Sequence, residues 1–553
     1  MKKVKRNAGI VLAAVLCMAV SGCVCCQKEN LDDMNGKRVK IGWAKRSIAV
    51  PGPTAIAGQS HLRVSQGEYG PVLVSALAIS NAQDAAIFVS ADVVSVRGKV
   101  YNDAIELLKK EAPSIPVDKI IVGATHTHAG PSTNVHITDY PNKVEILPYE
   151  KSQSFISRQI VDAVKEAWTK RAPGSIAYGY GFATTGHSRR STYLIDISTR
   201  YKSSPGFAIN GHGMMYGFSN DDQFAGYEAG TDTFINLLYT FDAKGKLSGA
   251  IVNVPCPSQT MEGAWMYYAS FWQNVREKLA AKYGDVGLIC QAAAAGDLSP
   301  RQLHYNDAEY RRYQLKYPEL IEKYKKNPMK NPSVKVYTPA HEKGEIMEMM
   351  RSEDIANRIM SAFDEVLVWA KKDMQYAPEL KHEVKTVELS RCLLTEQIIK
   401  QEQKNTQKYI SVPYMSEGNK WDMLRFNSTL RSRKHKVEGI LKRYHEEKTM
   451  PAFKTDIHVV RIGDVAFATN RFELFIDFMH RIQGRSPFMQ TFIVQLVTDK
   501  YGVGSYLATE RGEFNKGYSA TPYSCQVSAK GGQELVEETV NMLKGMKAAE
   551  VKK

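Results

Sequence analysis

Cysteine is scarce where it would carry structure. Of eight in the chain, Cys17, Cys23, Cys25 and Cys26 crowd the amino-terminal end. Only Cys256, Cys290, Cys392 and Cys525 lie in the body, with no CxxC pair among them. That excludes a disulfide framework and leaves room for a single bridge in an oxidising compartment. Also missing are a glycine-rich phosphate loop, zinc-finger spacing, an aromatic RNA-binding motif and any internal repeat. No segment beyond residue 22 approaches the roughly 20 apolar residues needed to span a bilayer. The formal charge is +15, and +11 without the four cations of the first six residues. With no nucleic-acid motif beside it, that excess reads as solvated helical faces, with attraction to anionic membrane or glycan surfaces next.

What is present begins with an export signal. Lys2, Lys3, Lys5 and Arg6 form a basic n-region, and Ala8 to Val20 is an apolar h-region. Val20-Ser21-Gly22-Cys23 then resembles a bacterial lipobox, with Cys23 as the lipidated residue. Residues 1–22 are expected to be removed and 23–38 to form a flexible tether. The mature protein would be exported and held to a bacterial membrane by lipid, on the periplasmic or the outer side.

The remainder, 39–553, has the composition of a globular protein, 43% hydrophobic and 24% charged. Val72 to Ser80 and Ala85 to Ser90 flank Asn81-Ala82-Gln83-Asp84 as a hairpin. Val100 to Glu111 and Ser152 to Thr169 have helical spacing. Phe234 to Phe241 and Leu247 to Val254 form another hairpin, ending in Asn253-Val254-Pro255-Cys256-Pro257-Ser258-Gln259. Gly287 to Gln291 is a buried strand that delivers Gly296-Asp297-Leu298-Ser299-Pro300. Ile457 to Ile462 and Val465 to Thr469 pair across Gly463-Asp464, and Arg471 is expected to begin a helix running to Ile482. Strands alternating with helices predict an α/β fold with a mixed sheet. Residues 301–345, charged, rich in Tyr and Lys and broken by Pro328, Pro332 and Pro339, read as an insertion or lid. Residues 395–448, mostly helical and basic, read as a second insertion. Gly502 to Tyr518 reads as a glycine-punctuated loop region.

The stretch from Asp118 to Pro131 is the focus. Ile120 to Val122 is a short buried strand that runs into His126-Thr127-His128 and stops at Ala129-Gly130-Pro131. Side chains two apart on an extended backbone point the same way, so His126 and His128 would face one pocket. Neutral imidazole is a common zinc ligand. Two polar residues on a loop remain the plainer reading.

Together these pieces resemble the neutral/alkaline ceramidase family. Ala124-Thr125-His126-Thr127-His128-Ala129-Gly130-Pro131 is similar to its zinc-binding segment, and Gly296 to Pro300 to the segment carrying its catalytic serine. Gly463-Asp464-Val465-Ala466 with Phe472-Glu473-Leu474 is similar to a strand-then-glutamate segment that supplies a zinc ligand. Tyr506-Leu507-Ala508-Thr509 falls where a tyrosine ligand lies, and Tyr518, 12 residues on, where a second tyrosine contacts substrate. The resemblance implies a zinc-dependent hydrolase of a linear amide, cleaving the N-acyl bond of a sphingolipid. It makes His126, Glu473 and Tyr506 metal ligands, with Ser299, His128, Asp297 and Tyr518 catalytic. Gly58, Arg189 and Arg190 would bind substrate, a lipid or amphiphilic small molecule. The family's C-terminal immunoglobulin-like domain is not expected here.

One departure stands out. Pro257 occupies the place of the family's second zinc histidine, and proline offers no side-chain ligand. Cys256 as thiolate, Gln259 or Glu262 would have to reach in, or the metal is weak or absent. Cys256 also reads as a buried apolar cysteine. Ser299 reads equally as a helix N-cap with Pro300 at N1, Glu473 as a first-turn acid, and the two tyrosines as packing. A same-fold hydrolase of another acylated or glycan-derived substrate, or a non-catalytic binding lipoprotein, are the competing functions.

Overall fold

The computed structural model describes residues 36–201, 210–329, 331–334 and 337–551. The leader, Cys23 and most of the expected tether lie outside them. Nine strands form one mixed sheet, in the order Gly287–Ala292, Leu247–Val254, Phe234–Asp242, Ala172–Phe182, Lys40–Ser47, Leu73–Ser80, Ala85–Ala91, Ile120–Ala124 and Val497–Thr498. The two hairpins read from sequence are there, with Val74 opposite Ala91 and Asn236 opposite Asn253. Parallel pairing occurs where a helix intervenes: Ala85–Ala91 with Ile120–Ala124, and Leu247–Val254 with Gly287–Ala292.

Strand alternation separates two cores. Ile87, Val89, Ile120 and Val122 face the helices Gly98–Glu111 and Tyr149–Thr169. Phe88, Ile121, Leu77 and Ile79 face the other way, onto Val460, Phe467 and Phe492. These last belong to a second sheet of Leu380–Ser390, Ala452–Ile462, Val465–Thr469 and Gln490–Val494. The outer face of that sheet is covered by the helices Ile476–Gln483 and Ala529–Val551. The result is four layers, helix on sheet on sheet on helix. The large sheet curls until its edge strand meets its own interior, where Ser90 Oγ donates to the Cys290 carbonyl at 2.7 Å.

Both expected insertions are helical. Asn306–Lys316 and Pro318–Lys326 pack on Pro339–Ala370 through Tyr313, Tyr317, Tyr324 and Ile346. Glu396–Ile410, Lys420–Lys434 and Lys436–Thr449 form the second. Among the described residues, no helix is long and apolar enough to cross a membrane.

Three local expectations change. Arg471 does not open a helix: Glu473–Leu474 is extended and pairs in parallel with Tyr506–Leu507, and the helix begins at Ile476. Leu298–Ser299 is likewise a short strand, paired with His187–Ser188, so Ser299 is no helix cap. The stretch 502–518 holds the strand Tyr506–Leu507 and the helix Glu510–Asn515.

Candidate active site

The strand Ile120–Ala124 stops short of the histidines. Thr125 donates its backbone N–H to the Ala91 carbonyl, and His126 donates its own to Val93. Asp92 fixes this junction, accepting from Thr125 Oγ1 at 3.2 Å and pairing with Arg276 at 2.7 Å. His126 then adopts φ +66°, a left-handed conformation that costs a non-glycine residue of order 1–3 kcal/mol. The expected extended geometry is thus replaced by a turn. The two rings still meet edge-on, with centroids 5.0 Å apart and Nε2 atoms 3.4 Å apart.

His126 Nδ1 lies 2.8 Å from the Val94 carbonyl, which places the proton there and leaves the Nε2 lone pair facing the pocket. Glu473 Oε2 lies 3.4 Å from that Nε2. The Glu473–Tyr506 pairing sets the carboxylate beside the phenol. Arg189, almost fully buried, donates to Tyr506 Oη at 3.2 Å and stands 3.9 Å from Glu473 Oε2. Burial works to raise the Glu473 carboxyl, but His126, Arg189 and Tyr506 together hold it below its ordinary value. Burial and then Glu473 push the Tyr506 phenol well up. Burial, then His126, Arg63 and Arg189, push His128 well down.

The loop 293–299 is tied to this group from two sides. Gly296 N–H donates to the Leu474 carbonyl, and a Cβ at Gly296 would stand 2.3 Å from the Glu473 carbonyl, so only glycine fits. Arg189 donates to Gly296 O at 2.8 Å. Gln495 Oε1 accepts from both Ala295 and Leu474 N–H groups. Ser299 is buried, and its Oγ accepts from the Arg301 N–H at 3.1 Å. Gly58, at φ +103°, lies flat on His128, where a Cβ would be 2.5 Å from Cγ.

Other residues singled out from sequence sit elsewhere. Asp297 is buried and accepts from the Ile476 N–H at 3.0 Å, capping that helix from outside. Arg190 pairs through two nitrogens with the buried Glu228 and donates to the carbonyls of Lys516 and Tyr518. Tyr518 packs edge-on against Tyr506, centroids 5.5 Å apart. The fully buried Cys256 thiol lies 3.1 Å from the Thr185 carbonyl, and burial pushes its pKa far up. Gln259 is the residue of that segment that reaches the histidines: its Nε2 lies 2.9 Å from His128 Nε2. Sequence reasoning missed Arg63, whose buried guanidinium donates to the carbonyls of Ala57, Ala264 and His128. It also missed Tyr216, 3.4 Å from Arg189. Neither carries a local signal, since both act through distant partners.

The donor set suits a cation in part. A free imidazole lone pair, a carboxylate and a phenol converge, with the His126 tautomer fixed by a backbone carbonyl. Among the described residues, no three His, Cys, Asp or Glu side chains form a metal-holding cluster. Tyrosine would have to complete the set.

No family model matches the chain. By structure, it shares the fold of the catalytic domain of neutral ceramidase. A crystal structure of neutral ceramidase from Pseudomonas aeruginosa superimposes with TM-score 0.59 at 16% identity, covering 93% of this chain and 75% of that one. A ceramidase complexed with C2 matches with the same score and covers 93% and 76%. By sequence, the chain is 27% identical to the Pseudomonas aeruginosa neutral ceramidase over 224 residues, 39% of this chain and 29% of that protein.

Proposed function

We propose that the protein is a zinc-dependent amidohydrolase that cleaves the N-acyl bond of a ceramide-like lipid. The observation that carries this is the meeting of His126, Glu473, Tyr506 and Arg189, with the Ser299 loop tied to the Leu474 backbone. The relation to neutral ceramidase supports the substrate class. The reaction adds water across an amide: the C–N bond breaks, the acyl carbon gains hydroxyl and the amine gains a proton. A bound zinc would polarise the carbonyl or lower the pKa of water to about 7. His126, Glu473 and Tyr506 would hold it. Arg189 offers a donor toward negative charge developing on the carbonyl oxygen, in a buried setting where such donors count most. Ser299 Oγ, its lone pair engaged by Arg301 N–H, keeps its own proton for the carbonyl or its attacking group. The lipobox at Cys23 supports export and lipid anchoring, which would hold the site near its substrate.

The test is a panel of N-acyl lipids assayed with and without zinc, beside metal analysis. The expected result is about one zinc per chain and fatty-acid release from ceramide that a chelator abolishes. Only trace metal after zinc-supplemented expression would remove the zinc reading. Turnover of another acylated compound with none of ceramide would favour the second reading, a same-fold hydrolase. Pro257 in the place of the family's histidine, with Gln259 the side chain that reaches His128, is what keeps that reading in view.

A further inference from the structure

The His128 ring is held at Nε2, its buried Nδ1 has no hydrogen bond within range, and its tautomer follows from the donors around it. The Arg189 guanidinium can only donate, and its Nη1 lies 3.2 Å from Gln259 Oε1. That fixes the orientation of the Gln259 amide, so its NH2 group points at His128 Nε2, 2.9 Å away. Nε2 must then accept, and the ring proton sits on Nδ1. Two groups lie on that side: the Gly58 backbone, packed against the ring, and the Glu262 carboxylate, whose Oε2 is 3.5 Å from Nδ1.

Glu262 is not alone. Arg301 stands 3.8 Å from its Oε1 and 3.5 Å from Glu348. Glu348 pairs with the buried Arg351 at 2.5 Å, and Arg351 with Glu309 at 2.6 Å. Tyr313 donates to Glu309 at 2.8 Å. Glu309 and Tyr313 belong to the insertion helix Asn306–Lys316. Opposite charges therefore alternate without a break from Glu262, beside the neutral His128, to that insertion. The Arg351 end is buried and hydrogen-bonded, whereas the half-exposed Arg301 joins it to Glu262 by charge alone.

We propose that Glu262 is a positioning residue that orients His128 as its Nδ1–H tautomer, and that the 301–345 insertion holds Glu262 in place through Glu309, Arg351, Glu348 and Arg301. Its catalytic consequence rests on the amidohydrolase reading; its structural part does not. The insertion thereby becomes part of the machinery rather than an ornament on it.

The test has two arms. Nitrogen-15 histidine spectra of the full protein, dialysed against a chelator, distinguish the two tautomers, with His128→Gln assigning the signal. The wild type is expected to show Nδ1–H at His128. Glu262→Gln should shift that signal strongly, and Glu348→Gln, two links away, less so. An unchanged signal in Glu262→Gln would mean that the Gly58 backbone alone sets the ring, which overturns the proposal. A signal that moves in Glu262→Gln but not in Glu348→Gln overturns the role of the insertion. In the second arm, Glu262→Gln should lower kcat about tenfold with KM and zinc content unchanged, and Glu262→Asp should recover part of it. A loss of zinc or a rise in KM alone would overturn the positioning role. If the wild type cleaves no amide, the functional reading fails while the spectra still decide the tautomer.

Discussion

Ser299 lies in a two-residue strand rather than at a helix start, and this separates its two readings. A helix cap replaced by alanine costs about 0.5–2 kcal/mol and spares turnover. A hydroxyl at the reacting carbonyl behaves the opposite way. Ser299→Ala is therefore expected to keep its melting temperature and zinc content while losing turnover by 100-fold or more. Normal turnover in a destabilised variant would return Ser299 to a structural role. Cys256 goes the other way: its thiol is buried against the Thr185 carbonyl. Cys256→Ser should leave zinc stoichiometry unchanged and cost about 1 kcal/mol, the scale of one modest buried hydrogen bond. A large loss of zinc affinity would reinstate the thiolate. Asp297 supplies a pH signature. Burial lifts its carboxyl to about 7, against about 4 in an unfolded chain. The folded protein thus binds the extra proton between those values, and stability falls as pH rises from about 4 to 7. Asparagine mimics the neutral acid and still accepts from the Ile476 N–H. Asp297→Asn should raise the melting temperature at pH 8 relative to wild type, with the gain shrinking toward pH 5; equal shifts at both values would contradict it.

At the scale of elements, periodicity located the helices Gly98–Glu111 and Tyr149–Thr169 and the strands of both hairpins of the large sheet. Ile156, Ile160, Val161 and Val164 bury one face of Tyr149–Thr169, as their spacing requires. What periodicity could not supply was pairing between distant two-residue segments. Glu473–Leu474 looked like a helix start because the helix begins two residues later; the strand there exists only because Tyr506–Leu507 lies beside it. The same holds for Leu298–Ser299 and its partner His187–Ser188. The structure brings the motif residues His126, His128, Glu473 and Tyr506 together and sets Gln259, one of the candidates of its segment, on His128, whereas Arg63 and Tyr216 came into view only once the loops met. Beside the Glu309–Arg351 pair, a second buried acid pins the first insertion: Asp354 accepts from Arg312, Lys316 and Tyr317 at 2.6–2.9 Å. Lys316 and Arg312 are half-exposed, so water screens part of the charge lost with it. Asp354→Asn is expected to cost about 2 kcal/mol. It should also expose Asn306–Lys326 to limited proteolysis well before the core is cut. Uniform cleavage across the chain would show that the insertion is not held there.

The whole molecule joins its two sheets through one shared core. Phe88 of the large sheet and Phe467 of the small one sit with ring centroids 4.9 Å apart, and Phe467 stacks on Phe492 at 4.3 Å. The candidate site draws on the same division. His126 and His128 follow a strand of the large sheet, whereas Glu473 follows the small sheet's hairpin and Tyr506 pairs with it. Neither sheet can leave without opening the core and splitting the site. The second insertion is attached differently, through a small cluster in which Trp421 packs edge-on against Trp265, centroids 5.5 Å apart. A long chain has room for intermediates, and this is where one is expected. In urea, the far-UV signal of both sheets and, on the proposed zinc reading, the release of the metal should change together, because each depends on the shared core. Tryptophan emission should show an earlier, smaller step from Trp421 and Trp265, absent in Trp421→Phe. Zinc release at a lower urea concentration than the main transition, with the sheets intact, would mean that the site is not built across them. Two separate far-UV transitions would mean that the shared core does not bind the sheets into one cooperative unit.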